Sequence, residues 1–129
     1  IGAQKRISIF LSIFNVHVNR SPITGRVTDV RYRRGQFRAA FNDLASVENE
    51  RNTLVIESGA LRIECSQIAG VLARRIVCWK GPGDTLERGE RIGLIRFGSR
   101  TDLLIPREAH ILVRVGEKVR GGSSKVAEL

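Results

Sequence analysis

Methionine is absent from all 129 positions, and the chain opens at Ile1. The expectation is a processed start or a cut inside a longer protein. Cysteine occurs twice, at Cys65 and Cys78, each in an apolar setting. With no CxxC and no Cys/His cluster, the pair argues against zinc and for two reduced thiols. Reduced thiols fit a cytosolic compartment. No signal-peptide pattern is present. Long apolar runs are also missing. The longest, Ile7 to Phe14, is interrupted by serines and falls short of the ~20 residues that span a bilayer. Aromatic residues are scarce: one Trp, one Tyr and five Phe. They do not alternate with basic residues on one strand, which is thin provision for base stacking and counts against nucleic acid as a partner. Acidic residues are outnumbered, 13 against 22 basic ones, for a formal net charge of +9. That excess favours anionic partners: nucleic acid, anionic lipid or an acidic substrate. Most of the positive charge is arginine, which suits bidentate contact with phosphate or carboxylate.

What is present reads as one globular domain, residues 1–129, with 42% hydrophobic and 27% charged residues. Strand signals dominate. Arg6–Phe14 is β-branched and aromatic with near alternation, and Gly25–Tyr32 alternates cleanly. Thr53–Glu57 and Ala60–Cys65 flank Ser58-Gly59 as a hairpin. Arg75–Lys80 precedes the turn Gly81-Pro82-Gly83-Asp84. Ile92–Phe97 and Thr101–Ile105 flank Gly98-Ser99, and Ile111–Val115 and Lys125–Ala127 close the chain. Gln67–Leu72 reads as a short helix or a continued strand, and Ala39–Val47 as a helical turn. The expected fold is all-β: a compact sandwich or barrel of short strands, barrel-sandwich-like, with one or two short helical turns.

Four segments could carry chemistry. His17 lies in NVHVNR at 15–20, close to where Pro22 stops the strand, and imidazole moves protons near neutral pH. A lone histidine is more often a surface or satisfied core residue. His110, in a polar loop after Pro106, is a weaker candidate. Ser46–Asn52 packs amides, acids and a guanidinium ahead of a strand, which by itself reads as a solvated turn. Arg74 and Arg75 sit in the apolar stretch 67–78. They bind an anionic head group or pair with Glu50 or Glu90. Gly98-Ser99 interrupts two apolar stretches. Glycine leaves its carbonyl open to attack by the following hydroxyl, although Gly-Ser pairs most often mark turns. Gly122-Ser123 is a rival by local chemistry. No GxSxG elbow and no Gly-rich phosphate loop occurs.

Taken in order, these segments resemble the phosphatidylserine decarboxylase family, its short-chain bacterial and archaeal branch most closely. The resemblance is carried by FLSIFNVHVNRSPITG at 10–25, NERN at 49–52, QIAGVLARRIVC at 67–78 and GERIGLIRFGSR at 89–100, with VGEKVRGGSSKVAEL at 115–129 resembling the closing strands. It covers nearly the whole chain. It implies a zymogen that cleaves itself between Gly98 and Ser99. Ser99 Oγ attacks the Gly98 carbonyl carbon, an N-to-O acyl shift gives an ester, and elimination leaves dehydroalanine that hydrolyses to a pyruvoyl group. The products are a β chain, residues 1–98, and an α chain, residues 99–129.

The resemblance further implies a lyase of phospholipid biosynthesis. Its pyruvoyl cofactor, covalent and derived from Ser99, forms a Schiff base with phosphatidylserine or a related serine phospholipid. Release of CO2 gives phosphatidylethanolamine. His17 is the candidate acid/base, and Arg20, Arg74, Arg75, Arg96 and Arg100 are candidates for the head group. The implied location is peripheral, on the cytoplasmic face of an anionic membrane. A homodimer is left open, and neither metal nor nucleic acid is expected. Two departures stand out. Longer bacterial enzymes carry His-x-x-His where this chain has His17 and Arg20. The Asp of the self-cleaving triad, and the hydrophobic part that meets the membrane, are expected before Ile1. The Gly122-Ser123 pair falls in the family's ordinary C-terminal turn. The competing readings are a biotinyl/lipoyl-like β-module, which lacks the Met-flanked lysine, and a basic nucleic-acid-binding β-barrel.

Overall fold

A computed structural model describes residues 4–11, 18–35, 49–69, 76–95, 99–119 and 124–128. Every regular element among them is a strand: β1 (Gln4–Leu11), β2 (Val18–Arg20), β3 (Gly25–Arg33), β4 (Arg51–Ser58), β5 (Leu61–Ile68), β6 (Ile76–Cys78), β7 (Thr85–Leu86), β8 (Arg91–Ile95), β9 (Ser99–Pro106), β10 (His110–Ile111) and β11 (Ala127–Glu128). Six of them form a sheet in the order β1-β9-β5-β4-β3-β7. All five pairings in it are antiparallel. A second sheet runs β2-β8-β6, and β10 pairs with β11.

Register explains the core. Cys65 lies opposite both Leu54 and Leu103, and Leu103 opposite Ile7. Ile56 lies opposite Val27 and Ile63. Side chains of a strand alternate between faces, so these rows stack on one face of the large sheet. Leu86 and Ile92 close over them, and all nine are buried. Full burial of a large aliphatic side chain is worth about 1.5–3 kcal/mol, so this face anchors the domain. Burial also pushes the Cys65 thiol up to about 12. Both cysteines are free.

Two of the chain's crossings between the sheets, the one after β2 and the one before β8, are stitched together. Ser21 N donates to Glu90 O at 2.8 Å, and Gly89 N donates to Ser21 O at 2.8 Å. Gly89 has φ +85°, a conformation that costs glycine little and other residues more.

The all-β expectation holds among the described residues, and the β4–β5 hairpin turns at Gly59 and Ala60. Some readings change. Gln67 and Ile68 continue β5 and are not helical. The 111–115 strand contracts to His110–Ile111, because Arg114 N is captured by Glu117 Oε1 at 3.1 Å and Glu117 N by Arg114 O at 3.0 Å. The solvated turn at 49–52 is overturned: Asn49, Glu50 and Asn52 are buried, and Arg51 and Asn52 begin β4. Their backbone and amides find internal partners, such as Asn49 Nδ2 donating to Ala69 O at 2.6 Å. The helical turn read at Ala39–Val47 lies outside the described residues.

Candidate active site

Ser99 is the first residue of β9, opposite Leu11 in β1. It is 1% exposed, and its Oγ has no hydrogen-bond partner among the described residues. A buried hydroxyl left unpaired costs about 1–3 kcal/mol. Interiors rarely tolerate that without a reason, and a chemical role is one such reason. The turn expected at Gly98-Ser99 is therefore a strand start at its second residue. Gly98 lies outside the described residues.

Two residues into β9, on the face that Ser99 shares, polar chemistry replaces the apolar core. Thr101 lies opposite Gln67 of β5, and Gln67 opposite Asn52 of β4. A ladder of hydrogen bonds runs across them. Asn52 Nδ2 donates to Gln67 Oε1 at 3.1 Å, Gln67 Nε2 to Asn19 Oδ1 at 2.9 Å, and Asn19 Nδ2 to Thr101 Oγ1 at 3.1 Å. Gln67 Nε2 also donates to Val77 O at 3.1 Å, so both sheets are tied at one side chain. Gly93 makes room for it: a Cβ there would sit 2.7 Å from Gln67 Nε2 and 2.1 Å from Val77 O.

Strand alternation sends Arg100 to the opposite face from Ser99. It is 2% exposed, its Nε lies 2.9 Å from Asp102 Oδ1, and its guanidinium sits 5.8 Å from the Phe10 ring centroid. Beside it Arg51 donates to Ser66 Oγ at 2.9 Å, and Ser66 Oγ lies 2.8 Å from Thr53 Oγ1. Burial holds the Arg51 guanidinium below its usual range. Arg20, half-buried on β2, donates to Gly89 O at 2.8 Å. Of the acids proposed as partners for Arg74 and Arg75, Glu90 takes Lys80 Nζ at 2.5 Å, and Glu50 accepts from the Tyr32 hydroxyl. That bond and burial raise the Tyr32 phenol above its usual range. His17, Arg74, Arg75, Arg96 and the Gly122-Ser123 pair lie outside the described residues. His110 is exposed, opposite Glu128.

The structure thus brings Ser99 and residues 18–20, 49–52 and 67–69 together at one end of the large sheet. It does so through residues that inspection of the motifs for acids, bases and cations passes over: Asn19, Asn52, Gln67 and Thr101. Their signal in the sequence is an uncharged amide or hydroxyl at a core-facing strand position, which demands a partner. A surface concavity lined by Arg26, Val27, Thr28, Pro82 and Gly83 includes none of them. Among the described residues no three His, Cys, Asp or Glu side chains gather as a metal site would need. No helix of the described residues is long and apolar enough to cross a membrane.

The fold is that of an antiparallel, mainly two-sheet β protein, with a buried serine at the head of an inner strand whose Oγ has no partner among the described residues. The chain belongs to the phosphatidylserine decarboxylase family, whose description matches residues 2–127. It is 51% identical over 126 residues to the phosphatidylserine decarboxylase proenzyme of Magnetococcus marinus, covering 97% of this chain and 58% of that one. It is 52% identical over 120 residues to that of Syntrophus aciditrophicus, covering 92% and 56%. Against that of Beijerinckia indica it is 52% identical over 130 residues, covering 99% and 56%. The chain thus spans a little over half the length of these curated relatives. No solved structure matches it.

Proposed function

We propose that this chain is the catalytic part of a pyruvoyl-dependent phosphatidylserine decarboxylase, made as a proenzyme that cuts itself between Gly98 and Ser99. The observation that carries the reading is Ser99 Oγ, buried at the start of β9 with no hydrogen-bond partner among the described residues. A hydroxyl without a hydrogen-bond partner is not held back from the adjacent carbonyl carbon. In its attack the Oγ–C bond forms and the Ser99 N–C bond breaks, with the Oγ proton passing to a base and the nitrogen gaining one. Loss of the Ser99 Cα proton with departure of the Gly98 carboxylate then frees residues 1–98 from 99–129. The dehydroalanine left at residue 99 would take up water and lose its nitrogen as ammonia, and the carbonyl so formed would supply an electron sink for a bound substrate amine as CO2 departs.

The rest falls to the chain's own side chains. His17, two residues before Asn19, returns a proton to the substrate Cα. Arg20 and Arg100 already serve Gly89 O and Asp102. Arg74, Arg75 and Arg96 are therefore the proposed contacts for the phosphate and carboxylate of the head group. A net charge of +9 supports peripheral action at an anionic bilayer, where the serine phospholipid resides.

The test is a denaturing gel of the full proenzyme. The wild type is expected as two chains, the smaller reacting with a carbonyl reagent, and Ser99→Ala as one. Purified wild type should release CO2 from vesicles containing phosphatidylserine. A wild type that stays a single chain overturns the proposal.

A further inference from the structure

Cutting the 98–99 bond would make Ser99 a chain end, and chain ends fray unless tied down. The reactive group would sit on that end. We propose that the ladder Asn52–Gln67–Asn19–Thr101 is a clamp that holds the first residues of β9 in register, so that position 99 keeps its place before and after the cut. The inference rests on the self-cleavage reading above.

Three features point to a clamp. The ladder is directional: each amide donates toward β9, and Thr101 Oγ1 is the terminal acceptor. Gln67, at its centre, has its carboxamide oxygen and both N–H groups committed. A buried polar network satisfied in this way specifies one arrangement, which an apolar row of the same shape does not. The second feature is place. Thr101 follows Ser99 by two residues on the same face, about 7 Å along the strand, and Asn19 follows His17 by two residues in sequence. One hydrogen bond of 3.1 Å thus joins the segments that carry both candidate catalytic groups. The third is cost. Gly93 leaves space for the Gln67 amide where a methyl group would collide with it. Thr101, Asn19, Asn52 and Gln67 are accordingly positioning residues, with no contact to substrate assigned to them.

The experiment uses the full proenzyme carrying Thr101→Val, Thr101→Ser or Asn19→Asp. Valine keeps the shape of threonine and removes the acceptor. Serine keeps the hydroxyl. Aspartate still accepts from Gln67 and can accept from the Thr101 hydroxyl. The readouts are cleavage on a gel, hydrogen exchange at amides 100–102 of the cleaved protein, and kcat and KM on phosphatidylserine vesicles. Thr101→Val is expected to exchange roughly tenfold faster at those amides. Its kcat should fall about tenfold to a hundredfold with little change in KM, as a small misplacement of reacting atoms does. Thr101→Ser should restore most of both. A folded Thr101→Val chain that stays uncut also supports the clamp, since Ser99 is then misplaced before the cut. Wild-type exchange and kcat in Thr101→Val, or equal loss in Thr101→Val and Thr101→Ser, would overturn it. So would unfolding of all three variants, which would make the ladder part of the folding core. The underlying reading fails separately, through a wild type that does not cleave.

Discussion

Ser99 and Gln67 are buried to the same depth and treated in opposite ways. Gln67 has its oxygen and both N–H groups paired, whereas Ser99 Oγ has no partner among the described residues. At a cost of about 1–3 kcal/mol, Ser99→Ala should leave the proenzyme no less stable than an uncut wild type, since the alanine has nothing to leave unpaired. The surface shows the contrary case. Glu90 accepts from Lys80 Nζ at 2.5 Å and from Glu87 N at 3.0 Å. The Lys80 hydrogen bond, then the Glu87 amide, holds the Glu90 carboxyl below its usual range, and Glu90 in turn raises Lys80. A depressed carboxyl contributes stability above its unfolded value and loses it as pH falls through the folded one. The raised Lys80 contributes below its ordinary value and loses that share as pH rises through its folded one. Glu90→Gln should therefore melt below the wild type at neutral pH. Thermal melts should converge as pH drops through and below the carboxylate range, and a constant gap down to low pH would count against the pair.

At the scale of elements, β8 shows how one position governs the joint between sheets. Gly93 lies opposite Asn19 on one side and Cys78 on the other. A Cβ there would approach Val77 O to 2.1 Å, and backbone cannot swing aside as a side chain end can. Gly93→Ala should cost roughly 1–3 kcal/mol, as overpacking of a dense interior does, and denaturant midpoints would measure it. The same strand marks what the sequence made legible. Periodicity located β3, the β4–β5 hairpin, β8 and most of β9, because alternation over five or more residues is a strong signal. It passed over β2 and β7, whose three and two residues are too short to show a period. It read 49–52 as solvent-facing because charge and amides were visible and their partners, Ala69, Gln67 and Ser66, lay 15 to 20 residues away in sequence. Ser99 was singled out as a candidate by its neighbours in the motif. The ladder beside it was not, because its members come from β2, β4, β5 and β9 and meet through folding alone.

For the whole molecule the topology of β9 matters most. It is an inner strand, with β1 on one side and β5 on the other. Its register runs over eight residues of β1, from Pro106 at Gln4 to Ser99 at Leu11. Both neighbours precede position 98, and β9 follows it. After the proposed cut, the short fragment would be threaded into the long one as a donated strand, and the protein would become a heterodimer of its own halves. Unfolding would then release two molecules instead of one. By mass action the melting temperature of processed protein should rise with its concentration, while that of Ser99→Ala should not. Melts of both across a hundredfold dilution series would decide the matter. For the cell, such a protein would have one chance to assemble at a unimolecular rate, before it cuts itself, and every later refolding would depend on its two pieces meeting again.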